Sequence, residues 1–281
     1  MLPLSMRAIQ SVEIQRITSS ETTAKPDLVV VEEPLEIRVG YGPADNRQQK
    51  SLSVTMRTPT GHDFELALGF LVSEGIVQSA SQILSLRYCT DAGRQAQENT
   101  VRVELQPNVP FDVEQLSRHF YATSSCGVCG KASIEAIEQM NCPVLPPRNF
   151  QLTNEQIFGL TAQLAQSQLF FTHTGGLHAA ALFDKNATLQ LVREDIGRHN
   201  ALDKLIGAAF LKNELPLAES VLLMSSRGSF ELVQKALVAG IPVLVCVGAP
   251  SSLAVQLAQQ FGLTLIGFLR ENSFNVYSSG N

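Results

Sequence analysis

Residues 124–133 read SSCGVCGKAS, which sets Cys126 and Cys129 three apart among residues too small to shield them. Two thiols at that spacing support three chemistries: half of a tetrahedral zinc site, disulfide exchange, or acceptance of sulfane sulfur as a persulfide. A structural zinc site usually takes its other ligands from a second pair, and the chain contains no second C-x-x-C, no C-x-x-H and no H-x-x-H. Cys142 with a distant histidine is the remaining route to a metal. A redox dithiol normally sits where a strand meets a helix in a small fold of its own. Here Ser124, Ser125, Gly127 and Gly130 leave the backbone unusually free, which predicts a loop able to move. Sulfur carriage needs an accessible thiolate, and Lys131 nearby would help to keep one ionised. The residues by themselves leave carriage and redox exchange side by side. Cys89, in LSLRYCT, and Cys246, in VLVCVG, sit in apolar strand-like runs and are expected to be buried packing residues.

A second constellation lies in the last hundred residues. VLLMSS leads into RGS and the helix FELVQKALVAG, IPVLVCV into GAPSS and LAVQLAQQFG, and LTLIGFL into RENS. Strands alternating with helices are the signature of a parallel sheet, and ligands of such sheets sit beyond the carboxyl ends of the strands. Those ends are Ser225-Ser226-Arg227-Gly228-Ser229, Gly248-Ala249-Pro250-Ser251-Ser252 and Leu269-Arg270-Glu271-Asn272-Ser273. Two run into helix N-termini, where free N–H groups favour anions, and Arg227 and Arg270 add charge suited to phosphate. Any one of these turns is ordinary tight-turn chemistry. Three on one edge, with two arginines, point to a phosphate-bearing ligand.

In GRHNALDKLIGAAF, His199 and Asp203 are four apart, with Asp195 just before the helix. Ala201, Leu202, Leu205, Ile206 and Ala209 face the core, so the polar pair belongs to another face. It is either an i,i+4 surface pair or, for His199, part of the ligand pocket. Gly175 and Gly176 permit a close backbone approach to a ligand, or a turn. His178 reads as a core histidine; His173 has the same reading open to it, and His62 and His119 carry no usable pattern.

The elements that must position these groups fall into four stretches. Residues 1–25 end in the polar SSETTAKP and read as a flexible leader. Residues 26–115 read as a small α+β domain: strands LVVVEEPLEIRV and SLSVTMRT, a helix FELALGFLVSEG with Asp63 as N-cap and Gly75 at its exit, then a hairpin of ILSLRYC and TVRVELQP. Residues 116–148 hold the cysteine pair and close on the proline-rich linker NCPVLPPRN. Residues 149–281 read as an α/β domain, opening with the helix NEQIFGLTAQLAQS and a hairpin of LHAAALFD and TLQLVRED.

The whole chain bounds these readings. At 281 residues and 44% hydrophobic it can bury a full core. Its 21 basic and 26 acidic residues give a net charge of −5 without a basic cluster, which argues against a nucleic-acid partner. MLPLSMRAIQSVEIQR lacks a basic segment followed by a long apolar one, and no apolar run approaches the ~20 residues of a membrane span. A cytoplasmic protein, with no membrane association, is expected.

SSCGVCG, HTGGLHAAALF, REDIGRHNALDKLIG and SSRGSFELVQKALVAGIPVLV together closely resemble the FdhD (NarQ) family of formate dehydrogenase accessory sulfurtransferases. The similarity runs from EEPLEIRV near residue 32 to GFLRENSFNVYS near residue 279. The resemblance implies an enzyme that takes persulfide sulfur from a cysteine desulfurase. It would pass that sulfur to the molybdenum or tungsten of a bis(molybdopterin guanine dinucleotide) cofactor, which formate dehydrogenase requires. It implies Cys126 as the persulfide-bearing residue, Cys129 as its partner, and Phe268, Leu269, Arg270, Glu271, Asn272 and Ser273 as the cofactor-binding stretch. That stretch coincides with one of the strand ends chosen from topology, which extends the expected contacts to Arg227, Gly228, Ser229 and His199. A homodimer and a cytidine-deaminase-like, three-layer α/β C-terminal domain are implied as well. Zinc deaminases use H-x-E and P-C-x-x-C, whereas this chain has His199-Asn200-Ala201 and Ser225-Ser226-Arg227-Gly228-Ser229 at the matching places. Zinc deamination and a resident metal are therefore not expected. The competing readings are a non-catalytic chaperone that holds and inserts the guanine dinucleotide cofactor, and a thiol-disulfide oxidoreductase.

Overall fold

The structure, a computed structural model, describes residues 8–89, 97–111 and 142–280. It is a mixed α/β protein. In chain order the elements are β1 (Ile9–Ile17), β2 (Thr22–Val30), β3 (Glu33–Tyr41), β4 (Gln48–Arg57), α1 (Asp63–Ser73), β5 (Ile83–Tyr88) and β6 (Thr100–Leu105). Then follow α2 (Asn154–Ser167), α3 (Phe171–Thr174), β7 (His178–Asp184), β8 (Leu189–Asp195), α4 (Arg198–Leu211) and β9 (Ser220–Met224). The chain ends with α5 (Phe230–Val238), β10 (Val243–Cys246), α6 (Ser252–Phe261), β11 (Thr264–Gly267) and β12 (Asn275–Ser279).

The six-stranded sheet has the order β12-β11-β10-β9-β7-β8. The expected βαβ units are present: β9, β10 and β11 are parallel, and β7 pairs antiparallel with both β8 and β9. Because side chains alternate along a strand, the two faces of this sheet enter different cores. Ala180, Leu182, Leu222, Met224, Leu244 and Leu265 face one way, into a cluster with α4, α5 and α6. Ala179, Ala181, Phe183, Leu223, Val245 and Ile266 face the other way, against Ile157, Leu160 and Leu164 of α2. This is a helix–sheet–helix sandwich. A capping box starts α2, Thr153 bonding the Gln156 amide and Gln156 reaching back to Thr153.

The second sheet, β4-β3-β6-β5, contains the expected β5–β6 hairpin and a parallel β3–β6 pair that α1 bridges. Its apolar face and α1 share the first core cluster with α4 and α5. The join is close. A Cβ on Gly69 of α1 would run into the main chain of Asp203, and one on Gly207 of α4 into the main chain of Glu65. Two reciprocal glycines thus let the helices touch backbone to backbone.

Four local expectations change. Residues 9–30, which take in residues 9–25 of the expected leader, form a two-stranded antiparallel ribbon in register from Ile9↔Val30 to Ile17↔Thr22. Its mostly exposed side chains account for the polar composition. The run LVVVEEPLEIRV is therefore two strands rather than one, divided between Val30 and Glu33. His62, not Asp63, takes the N-cap position of α1. Asp63 is 3% exposed and bonded at 2.9 Å to both Nε and Nη2 of Arg57, itself 2% exposed. A buried guanidinium needs a carboxylate more than the helix needs a side-chain cap. Finally, Asp203 is no surface partner of His199: it is buried, and accepts bonds from Lys235 Nζ (2.7 Å) and Ser73 Oγ (2.9 Å). Every residue of α4 from Asn200 to Phe210 is buried, because sheet and α1 cover the helix on opposite sides. No helix among the described residues is long and apolar enough to cross a membrane.

Candidate functional site

The carboxyl ends of β9, β10 and β11 lie side by side, and their turns are laced by main-chain bonds. Gly228 N–H donates to Ala249 O (3.1 Å), Ser251 N–H to Gly228 O (2.9 Å), Gly248 N–H to Ser226 O (3.0 Å) and Phe268 N–H to Gly248 O (3.2 Å). Small residues are required for this. A Cβ on Gly248 would stand 2.9 Å from Arg227 Cα. The turns therefore form one rigid floor at the edge where topology places a ligand.

The expected site residues occupy that floor in different ways. Phe268 has φ 54° and is 40% exposed. A bulky residue in the left-handed region is costly, and such strain clusters at functional positions. Leu269 is 1% exposed and belongs to the core under the floor, so it has only main chain to offer a ligand. Arg270 is exposed, but its Nη1 donates to the carbonyls of Val247 (2.7 Å) and Leu269 (2.8 Å), which fixes the guanidinium on the rim. Glu271, Asn272 and Ser273 are exposed, and Ser273 O closes a turn by accepting from Arg270 N–H (2.8 Å). Arg227 is exposed beside the buried Gly228.

His199 joins the floor from α4. Its Nε2 lies 3.4 Å from Ser229 Oγ and 3.7 Å from Glu231 Oε2. The Glu231 carboxyl is held down to about 2, chiefly by the neighbouring His199 ring. Burial opposes this, while its own amide and the Ser229 hydroxyl add to it. The start of α4 is fixed from below. Asp195, fully buried, accepts from Lys204 Nζ (2.5 Å), Gly197 N–H (2.9 Å) and Asn200 Nδ2 (3.0 Å). Lys204, also fully buried, donates in addition to Thr58 O (3.3 Å) and Thr60 Oγ1 (3.1 Å). This lock ties the end of β8 and the first turn of α4 to the loop before α1.

Sequence reasoning missed three groups here. Glu231 is one, identifiable only as a first-turn acid. Arg198 is another. The third, His178, is a half-buried residue at the open end of β7, opposite Asp195 in the ladder, rather than a core histidine. Burial lowers its basicity, and the neighbouring Arg198 and His199 lower it further. Gly175 has φ 65° and ends α3, and Gly176 approaches Val30 of the ribbon, so both serve turns and packing. Cys89 and Cys246 are buried as expected, and burial pushes the Cys246 thiol up to about 12. Cys126 and Cys129 lie outside the described residues.

A model of the FdhD/NarQ family matches residues 30–281. A relative named sulfur carrier protein FdhD from Mycolicibacterium paratuberculosis is 48% identical over 94% of this chain and 95% of its own length. A relative of the same name from Sulfurisphaera tokodaii is 40% identical over 96% of this chain and 97% of its own. Among solved structures, one described as a formate dehydrogenase accessory protein from Desulfotalea psychrophila superposes with a TM-score of 0.72 at 22% identity. It covers 97% of both chains, and establishes the likeness of fold.

Proposed function

The chain belongs to the FdhD/NarQ family, and on that premise we propose that it is a sulfur carrier for the maturation of formate dehydrogenase. The observation that carries this reading is the match, nearly end to end, to relatives named sulfur carrier proteins, in a chain whose sequence holds Cys126 and Cys129 among small residues. The Cys126 thiolate attacks the outer sulfur of a cysteine desulfurase persulfide. The donor's S–S bond breaks, its thiolate leaves, and a new S–S bond forms on Cys126. Cys129 is the second relay thiol.

The acceptor is the molybdenum or tungsten of a bis(molybdopterin guanine dinucleotide), here a substrate whose owner is formate dehydrogenase. The floor of strand ends suits its nucleotide portion: main chain without bulky side chains, an exposed Phe268 ring, and cationic Arg227 and Arg270 on the rim. A cytidine-deaminase-like origin of the six-stranded domain is supported by its order, in which the first strand lies second and antiparallel to the third. His199-Asn200-Ala201 stands where a deaminase would hold H-x-E. A homodimer completes the reading.

The test is intact mass after mixing with a cysteine desulfurase and free cysteine. A gain of about 32 Da, reversed by reductant and absent in Cys126→Ala, is the expected result. No gain, with formate dehydrogenase still activated by Cys126→Ala/Cys129→Ala, would replace carriage by the cofactor-holding role.

A further inference from the structure

The first turn of α4 carries His199 to the floor, and a buried side chain next to His199 holds that turn. Asn200 is 7% exposed. Its Nδ2 donates to Met56 O (2.8 Å) and to Asp195 Oδ1 (3.0 Å), and its Oδ1 accepts from Thr55 Oγ1 (3.1 Å). Both amide protons are therefore used. The Met56 carbonyl and the Asp195 carboxylate, which is paired with Lys204, can only accept, so the nitrogen end of the side chain must face them. An aspartate in this place would have no donor for either acceptor, and an apolar residue would leave both short of a bond.

These bonds close a clasp around His199. Asp195 Oδ1 also accepts from Gly197 N–H (2.9 Å), so Gly197 and Asn200, the residues on either side of Arg198 and His199, are held to one oxygen atom. The fit is close: a Cβ on Gly197 would stand 3.2 Å from Asn200 Nδ2. The other Asp195 oxygen accepts from Lys204 Nζ (2.5 Å) and from the Thr58 amide (3.3 Å). The anchor of the clasp thus lies in the four-stranded sheet, since Thr55 and Met56 belong to β4 and Thr58 to the loop that follows it. Across the floor, His199 Nε2 meets α5 at 3.4 Å from Ser229 Oγ and 3.7 Å from Glu231 Oε2. Those distances lie at and beyond the limit of a hydrogen bond, so a small displacement of the turn decides whether ring and carboxylate interact.

We infer that Asn200 is the positioning residue of the candidate site, fixing His199 against Ser229 and Glu231 from β4. The four-stranded sheet thereby sets the geometry of an edge that belongs to the six-stranded one. The inference rests on the reading of the strand-end floor as a cofactor site and names the residue that decides where His199 stands in it. An Asn200 that served stability alone would leave Glu231 as it is. A positioning Asn200 also governs the ionisation of Glu231, because His199 is the chief group that holds that carboxyl down.

The test uses the full chain, with the Glu231 carboxyl followed by carbon NMR, its signal assigned with Glu231→Gln, and GDP as the binding probe. In Asn200→Ala the Glu231 midpoint is expected to move from about 2 most of the way back to 4.5. GDP binding should weaken about fivefold, the scale of one lost hydrogen bond. Should Asn200→Ala lose its thermal transition, Thr55→Val gives the comparison, because it removes the bond from the β4 hydroxyl and leaves the amide in place. A variant that melts lower while Glu231 stays at about 2 would make Asn200 a stability residue and overturn the inference. A shifted Glu231 with wild-type GDP affinity would overturn the role of the clasp at the cofactor site. A wild type that binds no GDP would remove the cofactor reading, while a shifted Glu231 would still uphold the clasp.

Discussion

Glu231 shows how one side chain redistributes a site's electrostatics. Its carboxyl drops from 4.5 to about 2 because His199, its own amide and Ser229 stabilise the charged form more than burial opposes it. A carboxyl with a lowered folded-state value adds stability above its unfolded value, and that stability is lost as pH falls through the folded value. The window here runs from about 4.5 down to about 2. Wild type and Glu231→Gln should therefore differ most in urea midpoint near neutrality, and the two midpoints should converge as pH is lowered from 6 to 3. A constant difference across that range would mean that the carboxylate charge is not what Glu231 contributes. The same substitution empties the N-terminus of α5 and frees His199, so phosphate probes should bind there more tightly than to the wild type. Cys126 is the other residue on which a single measurement turns, through the added mass of a sulfur atom.

At the scale of elements, the crossing of α1 and α4 governs the site, because α4 presents Arg198 and His199 while α1 holds α4 in place. Gly69 and Gly207 allow the two backbones to touch, and a methyl group at either position must push the helices apart. Gly69→Ala should cost about 1–3 kcal/mol by overpacking, read from urea denaturation, with phosphate binding weakened as well. Gly159 in α2 is the internal control. Nothing lies within 4 Å of a Cβ placed there, so Gly159→Ala should stabilise by about 0.5–1 kcal/mol through helix propensity and the unfolded chain. Equal effects at the two glycines would refute the close crossing. The buried Asp195–Lys204 pair acts at this scale too. Neither charge adds net affinity for the fold as an apolar pair would, but together they set the register between the end of β8, the start of α4 and the loop before α1.

At the scale of the molecule, the two sheets share one core. Leu35, Ile37, Val101 and Val103 of the four-stranded sheet belong to the same buried cluster as Leu202, Leu205, Leu232 and Leu244 of the six-stranded part. The C-terminal portion, produced alone, would expose the face of α4 that α1 covers, including the apolar surface around Gly207. A fragment of residues 142–281 should therefore bind a hydrophobic dye and lack a cooperative thermal transition, while the whole chain melts in a single one. A fragment that melts sharply and stays monomeric would show that the six-stranded part closes its core without α1.

The sequence by itself determined the local units and bounded the chemistry. Strand–turn–helix alternation in the last hundred residues encodes β9 to β11 as parallel strands, since each apolar run is short and each helix follows a small-residue turn. The same pattern points to the edge where a ligand is expected, and the spacing of Cys126 and Cys129 narrows the chemistry to zinc binding, disulfide exchange or sulfur carriage. Tertiary structure decided which groups at that edge remain available. Asp203 sits four residues from His199 and looks like its partner, yet burial by α1 pairs it with Lys235 instead. Glu231 looks like a routine first-turn acid, yet the approach of α4 makes it fill the helix end that the turn before α5 was expected to leave open. Residues 9–25 look like part of a leader because a two-stranded ribbon buries little and so needs no apolar stripe. Periodicity records how much of a side chain is covered. It does not record by what, and charge compensation depends on that.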